Sequence, residues 1–248
     1  MTNSFSHMKT QITALFVLTL GGLVPSANSQ STFQNLGFEA PVLPLDSGNP
    51  PYVAFASAFP GWSGYIGGEP VSLAVHNAVA MDNSSLALIG SNVTFFPGPT
   101  VGVIAGQYSA VLQAGVDGLT FTPADTTLAQ TGLVPPTAQS LRFRAFGPSG
   151  FGPLTVSLGG QVLVLNAESI GPDFTLFAAD IRPWQGQTAE LNFTLRAQRP
   201  HINNNNLVLD SIDFSNSPVP EPSGLVQLAV GGAVLLLVRC RFTKRLRL

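Results

Sequence analysis

Between residues 31 and 215, apolar and polar positions alternate in short bursts separated by Gly, Pro, Asn, Ser and Thr. The clearest burst is Leu141-Arg-Phe-Arg-Ala-Phe146. Its period of two predicts a strand with Leu141, Phe143 and Ala145 on one face and Arg142 and Arg144 on the other. Residues 190–196 repeat the pattern, with Leu191, Phe193 and Leu195 inward. Val71, Leu73 and Val75 alternate with Ser72, Ala74 and His76, which predicts a third strand with the first set inward. Residues 86–89, 101–104, 108–113 and 174–178 read as further short strands. Residues 154–158 and 161–165 flank Gly159-Gly160, a two-residue hairpin signal. A closing strand over 207–214 directs Leu207, Leu209 and either Ser211 or Ile212 to the core, and the Asp210/Asp213 spacing suggests an edge or a bulge. No long stretch has helical period. Roughly nine to eleven short strands with turn signals between them predict an all-β fold, a jelly-roll β-sandwich. A propeller would show internal repeats, and there are none.

The two ends of the chain break this pattern. Lys9 precedes an apolar run over 12–24, which closes on Pro25-Ser-Ala-Asn-Ser-Gln30. Basic start, apolar middle and small-residue exit predict a secretory signal peptide cut between Ala27 and Gln30, with an uncleaved N-terminal anchor as the alternative. At the other end, an apolar run over 224–238 is followed by Arg239, Arg241, Lys244, Arg245 and Arg247. As a helix that run measures about 22 Å, short of the roughly 30 Å hydrocarbon core of a bilayer. It spans if flanking side chains snorkel or the bilayer thins. The cations behind it place the C-terminus in the cytoplasm and the body outside. The expected organisation is a signal peptide over 1–30, a β-sandwich body over 31–215, a linker over 216–223, a transmembrane helix over 224–240 and a basic cytoplasmic tail over 241–248.

Charge sharpens the division. All 13 acidic residues lie between Glu39 and Glu221, against only five arginines there, so that region is strongly acidic although the whole chain is near −2. No basic patch remains to hold nucleic acid, which excludes that partner class. The one cysteine, Cys240, stands between Arg239 and Arg241 near the C-terminus, so the body has no disulfide.

The C-terminal order is Pro-Val-Pro-Glu-Pro-Ser, then an apolar helix, then an arginine-rich end. It resembles the PEP-CTERM sorting signal of exported bacterial proteins. The resemblance covers about the last 30 residues. It implies recognition, and cleavage nearby, by an exosortase, a membrane-embedded cysteine transpeptidase, with Pro220, Glu221 and Pro222 as the recognition residues. It also implies export across the bacterial inner membrane and anchoring by one C-terminal helix, with later release to the envelope or matrix.

Within the body, Asn35-Leu-Gly-Phe-Glu39, Pro60-Gly-Trp62 and the closing Leu207-Val-Leu-Asp-Ser-Ile-Asp-Phe214 resemble galactose-binding-like jelly rolls of the carbohydrate-binding-module type. The middle of the body resembles domains found attached to the same sorting signal. In such modules, an acidic residue after the first-strand Phe and one in the last strand share a structural calcium. The matching positions are Glu39 and Asp210, weighed against the alternative of ordinary turn or edge residues. Trp62 and Trp184, the only tryptophans, are candidate sugar-stacking contacts, weighed against the alternative of packing residues.

Catalytic signatures are not found. The chain has no Gly-x-Ser-x-Gly elbow, no His-Glu-x-x-His, no phosphate loop and no dinucleotide fingerprint. His76 and His201 lie far apart in sequence and read as solvated. The expectation is therefore a non-enzymatic surface or extracellular-matrix protein associated with the envelope or with extracellular polysaccharide. The alternatives are a carbohydrate-binding module with a defined glycan site and, after it, a polysaccharide hydrolase with paired carboxylates.

Overall fold

The computed structural model describes residues 32–43, 51–78, 83–91, 102–147, 154–197 and 205–220. The expected signal peptide, transmembrane helix and basic tail lie outside these residues, as do Glu221, Pro222, His201 and Cys240.

Two sheets form a β-sandwich. The larger is ordered β1 (Tyr52–Ala54), β4 (Leu73–His76), β5 (Ser85–Gly90), β6 (Tyr108–Val116), β15 (Asn205–Ser215), β9 (Ser140–Phe146), β13 (Thr175–Asp180) and β12 (Asn166–Ile170), with β7 (Pro123–Ala124) paired to β6. The smaller is ordered β11 (Gln161–Val162), β10 (Leu154–Leu158), β14 (Thr188–Leu195), β8 (Thr126–Leu133), β2 (Ser63–Ile66) and β3 (Glu69–Pro70). Among the described residues every named strand pairing is antiparallel except β4 with β5. Short connections and the β-branched and aromatic content of the strands suit this arrangement. One four-residue helix, Phe55–Ala58, and a 3-10 turn, Arg182–Trp184, complete the described elements.

The core lies between the sheets. Phe143 from the larger sheet meets Phe193 from the smaller edge-on, with ring centroids 5.1 Å apart, and Phe177 stacks on Phe143 at 5.3 Å. Leu141, Phe143 and Ala145 point inward as their spacing predicts, and so do Leu191, Phe193 and Leu195. Gly159 and Gly160 form the expected hairpin turn, both with positive φ, which two-residue turns matching strand twist demand. Gly64 is needed for a different reason. A Cβ there would stand 2.4 Å from the Phe55 ring and 2.6 Å from Leu86.

Two expectations are corrected, one alternative is resolved and one strand is added. Residues 102–104 form no strand; they belong to a loop whose Val103 is buried on the outer face of the larger sheet. In β4 the inward residue is Ala74. Leu73 is 55% exposed, while Val75 packs under that outer loop, so the phase of the alternation is the reverse of that expected. Of the edge or bulge expected from the Asp210/Asp213 spacing, β15 has the bulge: it is central, flanked by β6 and β9, and the bulge turns Ile212 inward and leaves Ser211 at φ +50. β8 was not anticipated. Its Thr-Thr-Leu-Ala-Gln-Thr-Gly-Leu mixes polar and apolar residues without strict alternation, and Gly132 sits where the Phe33 backbone approaches.

Candidate functional site

The sequence singled out two short motifs near the start of the body, and the fold joins them. Asn35, at φ +50, turns the chain so that Phe38 enters the core. The Trp62 indole N–H donates to the Asn35 carbonyl at 3.2 Å, and the Asn35 amide reaches the Pro60 carbonyl at 3.5 Å. The Phe38 and Trp62 rings lie 5.6 Å apart, and Trp62 also faces Phe193 at 6.4 Å. Trp62 is only 5% exposed. It is therefore a packing residue that ties Asn35 to the core, and its ring offers no face to a sugar.

This junction aims Glu39 outward. Its carboxylate accepts the backbone N–H groups of Gln107, at 3.0 and 3.1 Å, and Tyr108, at 3.2 Å. Asp210 grips the same loop from the opposite end of the chain. Its Oδ2 accepts the Ala105 N–H at 3.0 Å and the Ser109 hydroxyl at 2.5 Å, while Oδ1 accepts the Ser211 N–H at 2.5 Å. Ser109 in turn accepts the Ile104 N–H at 2.9 Å. The Ile212 N–H donates to the Leu36 carbonyl at 3.0 Å, which brings the two anchors together. Asp210 is buried, and desolvation holds its carboxyl above the usual carboxylate range against the lowering pull of Ser109, Ala105 and Ser211.

Sequence reasoning thus named two residues 171 positions apart that meet on one loop. Calcium takes six to eight oxygen ligands. Here both carboxylates face N–H and O–H donors, and among the described residues no three of His, Cys, Asp and Glu cluster to hold a metal. That donor set does not by itself fit a calcium site. Hydrogen bonds supply the staple. They strap residues 103–109 over Val75, Ala87, Ile89, Val111 and Val208, a small apolar layer on the outer face of the larger sheet.

Trp184 is half-buried and packs on the core, with its indole nitrogen 2.8 Å from where a Cβ on Gly159 would stand. His76 is partly buried, and burial lowers its pKa.

The arrangement the sequence missed is where the body hands over to the C-terminal linker. Arg142, which alternation placed outward on β9, makes a bidentate pair with Glu168 of β12 at 2.9–3.2 Å. Its Nη1 donates to the Ser215 hydroxyl at 2.5 Å, and Nη2, already paired with Glu168, also donates to the Pro218 carbonyl at 3.2 Å. Neighbours on the same stretch complete a clamp. Ser140 donates to the Ser217 carbonyl at 2.7 Å, and Gln139 to the Asn216 carbonyl at 2.8 Å. The linker is held as far as Pro218, two residues short of Pro220. The only sequence signal was an arginine alternating with apolar residues, which also fits a solvated face.

No family model matches the chain, and no curated protein matches it. Two solved structures resemble it weakly. One is the enzymatically active domain of tailspike protein 4 of bacteriophage CBA120, at 15% identity, covering 62% of this chain and 19% of that one, with a TM-score of 0.34. The other is described as a structural basis for the promiscuous specificity of carbohydrate-binding modules from the β-sandwich superfamily. It shows 11% identity, covers 75% of this chain and 62% of that one, and has a TM-score of 0.36. The chain spans less than two thirds of either neighbour. The β-sandwich assignment stands on this chain's own strand pairing.

Proposed function

We propose that the protein is an exported bacterial surface or extracellular-matrix component, held at the membrane by its C-terminal segment and then processed. In this reading the body is a non-enzymatic jelly-roll domain that associates with envelope or extracellular polysaccharide. A defined glycan site on that body is its narrower form.

The observation that carries the reading is the handover at β15. A central strand ends at Ser215, side chains of residues 139–142 clamp the next three residues, and the chain then runs into Pro218-Val-Pro-Glu-Pro222, the apolar run and the basic end. Prolines keep such a segment extended. An enzyme can grip it without unfolding the body, because the clamp ends at Pro218, before the Pro-Glu-Pro segment. Shortness of the apolar run suits a segment held briefly and then cut. Pro220, Glu221 and Pro222 are the recognition residues of this proposal, and an exosortase-type membrane transpeptidase is the partner.

Mass spectrometry of the mature C-terminus, from cells with and without the sorting enzyme, tests the proposal. Loss of the residues beyond the Pro-Glu-Pro segment only when the enzyme is present is the expected result. An intact Leu248 in both strains leaves a plain anchor and rejects processing.

A further inference from the structure

The pole of the sandwich opposite the clamp carries a different feature. Asn205, at the start of β15, pairs with Ala114 near the end of β6, whereas Ser215 pairs with Ser140 at the clamp. At about 3.3 Å per residue the strand separates the two poles by roughly 30 Å. Beyond β6, residues 117–122 close a tight tip. Asp117 Oδ1 accepts the N–H groups of Leu119 and Thr120, each at 2.8 Å, and the Thr120 hydroxyl at 3.1 Å. The Phe121 N–H donates to the Asp117 carbonyl, and the Asp117 N–H to the Thr122 carbonyl, both at 2.8 Å. Ser84 locks the base, donating to the Ala124 carbonyl at 2.6 Å and accepting the Gly115 N–H at 2.9 Å.

This construction holds two large apolar side chains in water. Leu119 is 90% exposed and Phe121 73%. A single exposed leucine needs no explanation. Phe121 is different, because its φ of +54 is a conformation that bulky residues avoid. Strain of this kind persists where surrounding bonds over-determine it, as the Asp117 network does here, and such residues cluster at ligand contacts.

The surroundings narrow the occupant. The tip lies at the far pole from Pro218, the last residue the clamp holds. Two side chains fall far short of the ~800 Å² per partner of a standard protein interface. The chain has no Lys or Arg between residues 10 and 141, so the strands and turns that build the tip bring no cation for an acidic ligand. The backbone just past β14 comes to the same pole, where the Arg196 carbonyl accepts the Asn205 side-chain amide at 3.1 Å and the Asp125 carboxylate accepts the Ala197 N–H at 2.9 Å. What remains is an aromatic face beside two hydroxyls, Thr120 and Thr122, 2.8 Å apart, and a carboxylate whose Oδ2 takes no hydrogen bond from the described residues. A neutral sugar ring has the matching parts, an apolar C–H face and a hydroxyl edge.

We propose that the 117–122 tip is a contact site for a neutral polysaccharide chain, with a sugar ring stacked on Phe121 and its hydroxyls met by Thr120, Thr122 and Asp117. The proposal rests on the polysaccharide association stated under Proposed function.

The test uses the full chain in detergent micelles, with dextran, galactomannan and cellulose as probes in affinity electrophoresis and pull-down. Phe121→Gly removes the ring and relaxes the positive φ, so the fold is not at risk, and Phe121→Tyr keeps the platform. The expected result is binding to at least one neutral glycan, weakened about tenfold or more by Phe121→Gly, less by Leu119→Ser, and retained in Phe121→Tyr. Binding that neither Phe121→Gly nor Leu119→Ser alters overturns the tip as the site and leaves the association itself standing. No binding to any probe overturns both. Phe121-dependent binding to phosphatidylcholine or phosphatidylglycerol vesicles, or Phe121-dependent self-association in sedimentation, overturns the glycan as the occupant.

Discussion

The two sheets bury their residues differently. In the smaller sheet, β14 follows a simple rule, with Ala189, Leu191, Phe193 and Leu195 inward and Glu190, Asn192 and Thr194 toward solvent. In the larger sheet, β5 and β6 are buried on both faces. Leu86 and Leu88 point to the aromatic core, while Ala87 and Ile89 lie under the strap of residues 103–109. One face packs rings between sheets; the other packs small aliphatics under a loop held by two carboxylates. An inner face of this kind is held by buried apolar area, and an outer face covered by a loop depends on whatever keeps the loop down. The strap is thus the part of the fold whose stability is set by hydrogen bonds.

The largest break in this comparison is expected from Phe193→Ala. It empties the contact between the sheets and removes the ring that meets Phe143 and Trp62, at a cost of about 3–5 kcal/mol in denaturant unfolding. A cost near that of a surface substitution would mean the sheets do not depend on this contact.

Asp210 comes next. Asp210→Ala leaves the Ala105 N–H and the Ser109 hydroxyl without their acceptor, at about 1–3 kcal/mol. Hydrogen exchange should rise in residues 103–109 and stay low in β14. The pH dependence has a definite sign. Because its folded pKa is raised, Asp210 contributes stability that is full below the ordinary aspartate range and is lost as pH rises through the folded value. Asp210→Asn has no such proton to lose. The stability of the native chain minus that of Asp210→Asn should therefore fall as pH rises from about 3 to 7. A difference that rises instead would show that the ionised form is the favoured one.

The smallest effect belongs to Glu39→Gln, which weakens exposed bonds to Gln107 and Tyr108 and should cost about 1 kcal/mol or less. Chelation sharpens the same point. A strap held by hydrogen bonds melts at the same temperature with or without EDTA, whereas a loss on chelation that calcium restores would place a cation between Glu39 and Asp210.

Legibility followed the number of faces a strand buries. β9 and β14 alternate because one side of each meets water, so their inward residues could be read directly. β4 misled because both of its faces carry small or apolar residues, and only the strap explains why Val75 is covered while Leu73 is 55% exposed. β8 was missed because Thr126 and Gln130 are buried there through hydrogen bonds, to the Gln113 carbonyl and to the Gln34 backbone, rather than through apolar character. At the candidate site, Glu39 and Asp210 were found through the resemblance of the motifs around them, while Ser109 gave no local signal and Arg142 only an alternation that also fits a solvated face.

The sequence by itself determined the all-β class, the inward residues of strands with one wet face, the Gly159-Gly160 turn and the order of unlike segments at the C-terminus. These follow from nearest-neighbour chemistry, namely period, turn stereochemistry and charge. Tertiary structure decided that Trp62 is a core tie, that residues 103–109 are a strap rather than a strand, and that Arg142 guards the exit of the chain. Each of those roles depends on contacts between residues 27 to 105 positions apart. Only the crossing of segments in the folded sandwich brings such residues within hydrogen-bonding distance.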